Sequence, residues 1–389
     1  MRRLSLGSTF SEDAVIPTIA DFTGQTVIVQ LGPDSYPIYV GSNCLDRLAD
    51  AFLRHCGCRR AVIITDDNVN KYYGSSVKDL LIAGGIEANI ISIPPGEGSK
   101  YLPTLQSVYD QLFDFSVERS DAIVALGGGV VGDLAGFAAA CFKRGIKYVQ
   151  VPTTLLAMVD SSIGGKTAVN HPRGKNMIGA FYQPKLVFAD IAVLKTLPRR
   201  ELGCGLAETV KHAIIRDGLF FEFLEKHAGQ IIALRQDLLV ELVVRNCNIK
   251  AEVVSADERE SGLRRILNLG HSIGHALETV FSGGDYHHGE AVSLGMVAAA
   301  RLAVGRKLLK ESLLPRIVNL LQAFDLPTGI RGDIPVNDLY TAMLHDKKVE
   351  AGRLNFVLPT ALGNCTIVSD LTETQIKTAI ASLAKTENP

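Results

Sequence analysis

The strongest constraint on this chain is a change of texture at Pro198. Before it, short apolar runs rich in β-branched residues alternate with helical segments; after it, nearly everything repeats with helical period. AVIITD, ANIISIPP, DAIVALGGG, KYVQVPTT and LVFAD read as strands, with VKDLLIAGG and LPTLQSVYDQLF among the helices between them. Such alternation predicts a mostly parallel sheet with helices on both faces. TVIVQL and YPIYVG flank a Gly-Pro-Asp-Ser turn and predict a leading hairpin. From Arg199 to about Phe324, segments such as ELGCGLAETVKHAII and EAVSLGMVAAARLAVGRKLL predict a helical unit, and RLNFVLP and CTIVSD a late hairpin around Leu362-Gly363-Asn364. The expected organisation is a loose extension over 1–22, an α/β domain over 23–198 and a mainly helical domain over 199–389, without internal repeats.

Length and charge narrow the class. A chain of 389 residues is long enough for two or three cores. Forty basic residues against forty-one acidic ones argue against a nucleic-acid or anionic-membrane partner, so any anion site must be a local cluster. The seven cysteines are odd in number and scattered, which suits a reduced, cytoplasmic protein rather than a disulfide framework. No stretch offers about 18 uninterrupted apolar residues.

DAIVALGGGVVGDLAGFAAACF places a strand before Gly127-x-Gly129-x-x-Gly132 and a helix after it. Glycines there permit a tight turn and close approach of backbone, and the helix start offers free N–H groups to a pyrophosphate, so a Rossmann-like dinucleotide turn is expected. It follows a later strand instead of opening the domain, which departs from the usual case. Gly164-Gly165-Lys166-Thr167 imitates the end of a P-loop, yet Asp160 stands where the first glycine belongs and would repel a polyphosphate. An ATPase or kinase is therefore disfavoured.

His271 and His275 lie four apart on one helical face; YHHGE adds His287 and His288, and LAETVKH adds Glu208 and His212. Two imidazoles and a carboxylate from separate helices make a three-ligand zinc site with open positions. No HExxH pattern accompanies them, so peptide hydrolysis is disfavoured. Lys211, Lys250, Arg264, Asn268, Lys347 and Lys348 surround these candidates in sequence; with Arg144, Lys166 and Lys175 they suggest a pocket for a polyanionic small molecule. A nicotinamide turn, a metal and an anion pocket together point to oxidation of a metal-held hydroxyl on a phosphorylated, carboxylated substrate.

GGGVVGDLAGFAAACFKRG, VPTTLLAMVDSSIGGKTAVNHPRGKNMIGAFYQP, LAETVKH, DERESGLRRILNLGHSIGHALE and HHGEAVSLGM resemble the 3-dehydroquinate synthase family of sugar-phosphate cyclases, over residues 25 to 385 or so. The resemblance implies an α/β domain followed by a helical metal-binding domain, NAD, Zn2+ or Co2+, and a cytoplasmic homodimer. It also implies a sugar acid phosphate substrate, 3-deoxy-D-arabino-heptulosonate 7-phosphate, converted to 3-dehydroquinate and phosphate in the shikimate pathway. By position it implies Glu208, His271 and His288 as metal ligands, with His287 the competitor for the last place. The implied NAD contacts are Asp66, Glu97, Lys100, Gly128, Gly129, Val130, Asp133, Thr153, Thr154, Thr196, Leu197 and Glu201. The implied substrate set is Asp160, Lys166, Lys175, Asn176, Lys211, Lys250, Arg264, Asn268, His275 and one of Lys347 or Lys348, with Arg144 supplied across the dimer. Sister cyclases making aminodehydroquinate, 2-epi-5-epi-valiolone or 2-deoxy-scyllo-inosose are the nearest rivals, then a metal-dependent polyol dehydrogenase. Lys250 together with Arg264, the implied carboxylate partners, favours the dehydroquinate product.

Overall fold

The computed structural model describes residues 16, 19, 21–281, 285–330, 332–345, 349–350 and 353–384. Strands β1 (Gln25–Val29) and β2 (Tyr36–Gly41) pair antiparallel as the expected hairpin. β3 (Arg60–Asp66), β4 (Glu87–Ile93), β5 (Ala122–Gly127) and β6 (Lys147–Pro152) follow as a parallel set. β7 (Lys166–His171) and β8 (Gly174–Phe181) form a separate antiparallel hairpin, and β9 (Val187–Asp190) returns to the sheet. The sheet order is β1-β2-β9-β6-β5-β3-β4.

Period-two alternation explains how the sheet is covered. Ile63 and Val124 pack with Leu48 and Phe52 of the Leu48–Cys56 helix and with Val77 and Leu81 of the Ser75–Ala83 helix. Val62, Ile64 and Ile123 face the other way, onto Leu105 and Val108 of the Leu102–Asp114 helix and Leu134 and Ala138 of the Gly129–Cys141 helix. Helices on both faces bury a parallel sheet completely, which is why its strands read as continuous apolar runs.

A third core joins the two halves of the chain. Val27, Val29, Tyr36 and Ile38 of the first hairpin share one cluster with Leu239, Leu242, Val243 and Val253 of the Gln236–Ala256 helix. That helix is tied to the hairpin region at both ends: Ser42 Oγ donates to Gln236 Oε1 at 2.7 Å, and Gln30 N donates to Ser255 Oγ at 3.0 Å. The Arg199–Arg216, His271–Val280 and His288–Gly305 helices complete the wall around the site, and the Gly218–Ile232 helix packs against the first of them. The late hairpin forms from Phe356–Ala361 and Asn364–Val368.

Within the expected 1–22 extension, Ile19 is buried, with its N–H on Tyr39 Oη at 3.2 Å, and Phe22 meets Tyr39 edge-on at 5.2 Å. Packing therefore begins before residue 23, because these apolar side chains cover the rings of Tyr39 and Phe188. The extension's residues 1–15, 17, 18 and 20 lie outside the described residues. Among the described residues, no helix is long and apolar enough to cross a membrane.

Candidate active site

The glycine turn closes β5 and opens the Gly129–Cys141 helix. None of its glycines has positive φ, so close approach is what requires them. A Cβ on Gly129 would stand 3.0 Å from Ser161 Oγ, and one on Gly132 would stand 2.7 Å from Gln150 Oε1 of β6. The chain leaves β3 toward β4 on one side and β5 toward β6 on the other, so the sheet's switch point lies between β3 and β5. Ligands of open α/β sheets bind outside the carboxyl ends of strands at such a point. This accounts for a dinucleotide-type turn on a later strand.

The cofactor candidates border that crevice in two groups. Asp66 ends β3 and caps the next turn by accepting from Asn68 N and Val69 N. Gly128, Gly129 and Val130 form the turn itself, and Thr153 and Thr154 follow β6, with Thr153 N on Gly127 O at 2.9 Å. Thr153 Oγ1 is buried without a hydrogen-bond partner among the described residues. Asp133 pairs with Lys100, whose Nζ also reaches Asn176 Oδ1; Asn170 links this network to Glu97 through a 2.7 Å bond and to Asn176 N at 2.8 Å. Burial raises Asp133, and Lys100 opposes that push. On the opposite side, Thr196 bonds Tyr73 Oη at 2.8 Å, Leu197 follows it, and Glu201 lies in the first turn of the next helix.

Glu208 is the centre of the metal-type triad. Its Oε1 is fully buried with no hydrogen bond among the described residues, 3.6 Å from His271 Nε2 and 3.7 Å from His288 Nε2. Two ligands each about 2.0–2.1 Å from a tetrahedral ion sit about 3.3–3.4 Å apart, so an orphaned oxygen facing two imidazole nitrogens fits a zinc-type cation. His271 Nδ1 donates to Leu269 O at 3.1 Å, which leaves the Nε2 lone pair toward Glu208. His288 Nδ1 is 3.3 Å from Glu278 Oε2, the carboxylate support that metal-bound histidines use. Burial pushes Glu208 up, but Lys211 on its Oε2 and His271 outweigh it and hold the carboxylate well below its usual range. Against desolvation, Glu208 and Glu278 push His288 up to about 10, so the place favours positive charge.

The doubled histidine separates by helix geometry. His287 is the cap of the His288–Gly305 helix, with its N–H on Glu290 Oε2 at 2.8 Å, and its ring turns to Glu201. His288 begins the helix proper and points the other way, into the triad. Buried His212 has Nδ1 2.9 Å from Asn246 Oδ1 and belongs to a neighbouring group with Asp160 and Glu208.

The anion candidates gather beside the triad. Lys250 pairs with Asp160, and the two Gly residues after Ser162-Ile163 take positive φ, +95° at Gly164 and +65° at Gly165, which aims the Gly164 carbonyl at Arg264. Arg264 is 2 % exposed; its guanidinium donates to the carbonyls of Gly164 (3.1 Å) and Glu258. Lys166 pairs with Glu260, which also accepts from Asn268 Nδ2 at 2.7 Å. Lys175 is 3.1 Å from Glu278, and the His275 ring is 5.4 Å from that of His271. Arg144 stands apart: it is exposed at the far end of the Gly129–Cys141 helix, roughly 20 Å from the glycine turn at 1.5 Å per residue. Lys347 and Lys348 lie outside the described residues. Sequence reasoning missed Asn170, Glu260 and Glu278. Glu278 had a signal, since it lies seven residues after His271 on the same helical face.

Two family models match the chain, described as 3-dehydroquinate synthase N-terminal over residues 90–204 and 3-dehydroquinate synthase C-terminal over residues 205–349. A 3-dehydroquinate synthase of Desulforamulus reducens is 47 % identical over 351 residues, 90 % of this chain and 98 % of that protein. Among solved structures, 2-epi-5-epi-valiolone synthase from Streptomyces hygroscopicus subsp. jinggangensis 5008, with NAD+ and Zn2+ bound, superposes with a TM-score of 0.82 at 30 % identity, over 90 % of this chain and 96 % of its own. A 2-deoxy-scyllo-inosose synthase complexed with carbaglucose-6-phosphate, NAD+ and Co2+ gives 0.82 at 27 % identity, over 92 % of this chain and 100 % of its own. With a parallel-sheet half carrying the glycine turn and a helical half carrying the Glu208 triad, the chain belongs to the 3-dehydroquinate synthase family.

Proposed function

We propose that this chain is a 3-dehydroquinate synthase, a carbon–oxygen lyase that converts 3-deoxy-D-arabino-heptulosonate 7-phosphate to 3-dehydroquinate and inorganic phosphate in aromatic amino-acid biosynthesis. The observation that carries the reading is Arg264. It is a buried guanidinium whose hydrogen bonds go to two neutral carbonyls, with no carboxylate within ion-pair distance among the described residues. Such a charge is poised for an anion, and its planar fork suits a substrate carboxylate.

Glu208, His271 and His288 would hold Zn2+ or Co2+, which when bound acidifies a coordinated hydroxyl. The crevice at the ends of β3, β5 and β6 would hold NAD+, which supplies reversible hydride removal. In this reading, residues 23–198 form the cofactor wall and 199–389 the metal wall. Lys250 and Arg264 hold the carboxylate. Asp160 keeps the Lys250 ammonium in place, and Lys211 balances the charge of Glu208. Lys166, Lys175, Asn176, Asn268, His275 and one of Lys347 or Lys348 hold the ring hydroxyls and phosphate, joined by Arg144 of a second copy in a homodimer. The phosphate is eliminated beside an acidified C–H and takes that proton itself, so the chain has only to position it. The bound cofactor would supply the hydride back, so the product would stand at the oxidation level of the substrate, and the chain's part is to hold the substrate as its ring opens and recloses as a carbocycle. All seven cysteines are free thiols, which fits a cytoplasmic enzyme.

The test is to load the protein with NAD+ and Co2+, add the heptulosonate phosphate, and follow phosphate, dehydroquinate and NADH together. Phosphate and dehydroquinate are expected one to one, without accumulating NADH. Stoichiometric NADH would support a polyol dehydrogenase instead, and faster turnover of sedoheptulose 7-phosphate would move the chain to the valiolone-type cyclases.

A further inference from the structure

Outside the Glu208 triad, a second set of metal-ligating side chains meets at the start of the Arg199–Arg216 helix. Glu201 and Cys204 are three residues apart and share a helix face. His287, capping the His288–Gly305 helix, comes onto them from the other side. A Glu201 oxygen, Cys204 Sγ and a ring nitrogen of His287 all lie within 4.8 Å of one another. The thiol forms a buried floor, while the Glu201 and His287 side chains are 40 % and 34 % exposed and make a rim open to solvent.

Two of these ligand atoms already face each other closely, with His287 Nδ1 2.9 Å from Glu201 Oε1.

We propose that Glu201, Cys204 and His287 form a second transition-metal site, taking Zn2+ or Co2+ with water as the remaining ligand. One nitrogen, one carboxylate oxygen and one sulfur are a zinc donor set, and three protein ligands leave the open position of a non-structural site. Ligand atoms of a tetrahedral zinc ion stand about 3.3–3.7 Å apart, so no edge here has to close by more than about 1 Å, within reach of side-chain rotation. Binding forms the sulfur–metal bond and breaks the S–H bond, with the proton released to solvent. Thiolate and carboxylate then balance the ion's two charges. Arg200 stays outside the set, held by Glu290 in a two-pronged pair at 2.7 Å.

The Glu208 triad contains no sulfur, and this separates the two sites spectroscopically. Metal-free protein, with NAD left out because Glu201 is also a candidate cofactor contact, is expected to bind two equivalents of Co2+ per chain on anaerobic titration, one of them with a thiolate-to-cobalt charge-transfer absorption. Cys204→Ser and His287→Ala are each expected to lose that absorption and weaken one equivalent by more than the roughly 10–100-fold typical of losing an outer partner, while the other equivalent stays. His288→Ala is expected to keep the absorption and lose the other equivalent. A single equivalent in the native protein, no charge-transfer band, or a band that survives Cys204→Ser would overturn the proposal. Because His287 is partly exposed, His287→Ala tests the site even if Cys204→Ser fails to fold. The triad's metal is counted independently, so failure here leaves the cyclase assignment standing.

Discussion

Glu208 and Arg264 show how much of the site single residues decide. Glu208 divides its two oxygens, one given to Lys211 and one left facing two imidazoles. Arg264 keeps a charge in the core with its hydrogen bonds on two carbonyls, and Glu260 and Asp160 support it from beyond ion-pair distance. A charge-assisted, bidentate contact is worth about 1.5–3 kcal/mol, so Arg264→Ala should lower kcat/KM for the carboxylated substrate roughly ten- to a hundred-fold, and Arg264→Lys should recover part of that. Steady-state kinetics with sedoheptulose 7-phosphate provide the contrast, since Arg264→Ala should barely change that already poor rate. Burial, opposed by Asp160, brings Lys250 down to about 8. Its ammonium is charged below that value and neutral above it, so kcat/KM should fall as pH rises through about 8, and Lys250→Arg should move this limb upward in the pH–rate profile. An unmoved limb would assign it to another group. Most of these residue types were legible in the sequence, because charged and ligating side chains stand out in apolar surroundings. The choice between His287 and His288 was not legible from residue spacing, since it depends on which one caps a helix. Glu260 was hidden for a related reason: it reaches Lys166 and Asn268 from a turn residue at φ +60°.

At the scale of elements, the segment after the Gln236–Ala256 helix sets where Arg264 sits. Asp257 Oδ2 accepts from Gly262 N at 2.7 Å and Arg264 N at 3.0 Å, and Oδ1 accepts from Ser261 N at 2.9 Å. Against a desolvation push, these donors draw Asp257 down to about 2. Its folded-state value lies below the unfolded one, so its stabilisation is complete above about pH 4 and is lost as pH falls through about 2. Asp257→Ala should destabilise the protein by about 1–2 kcal/mol, modest because water screens a part-exposed carboxylate, and should lower kcat/KM by releasing Arg264. Denaturant unfolding and kinetics check the two halves of that expectation, and unchanged kinetics would show that Arg264 is held by its side chain alone. Strand and helix periodicity predicted the alternating sheet and the helical half. The place of the glycine turn needed strand order, since it is the reversal of strand order between the parallel strands β3 and β5 that makes their ends the binding edge.

For the whole molecule, the texture change at Pro198 marks a change of secondary structure more than a seam in the packing. The first hairpin and the Gln236–Ala256 helix are about two hundred residues apart in sequence yet share one core. No periodicity can report such a contact, because each partner is amphipathic on its own terms whatever it meets. Calorimetry of the ligand-free protein should therefore show one cooperative transition spanning both halves; two resolved transitions would mean that the shared core is weaker than its burial implies. The same helix carries Lys250 to Asp160. A chimera that grafts residues 199–389 of one such enzyme onto residues 23–198 of another would thus pair a foreign helix with a foreign hairpin, mismatching the core and the Lys250–Asp160 contact together. Exchanging substrate preference between relatives by swapping sequence-contiguous halves should fail unless the opening hairpin travels with the helical part.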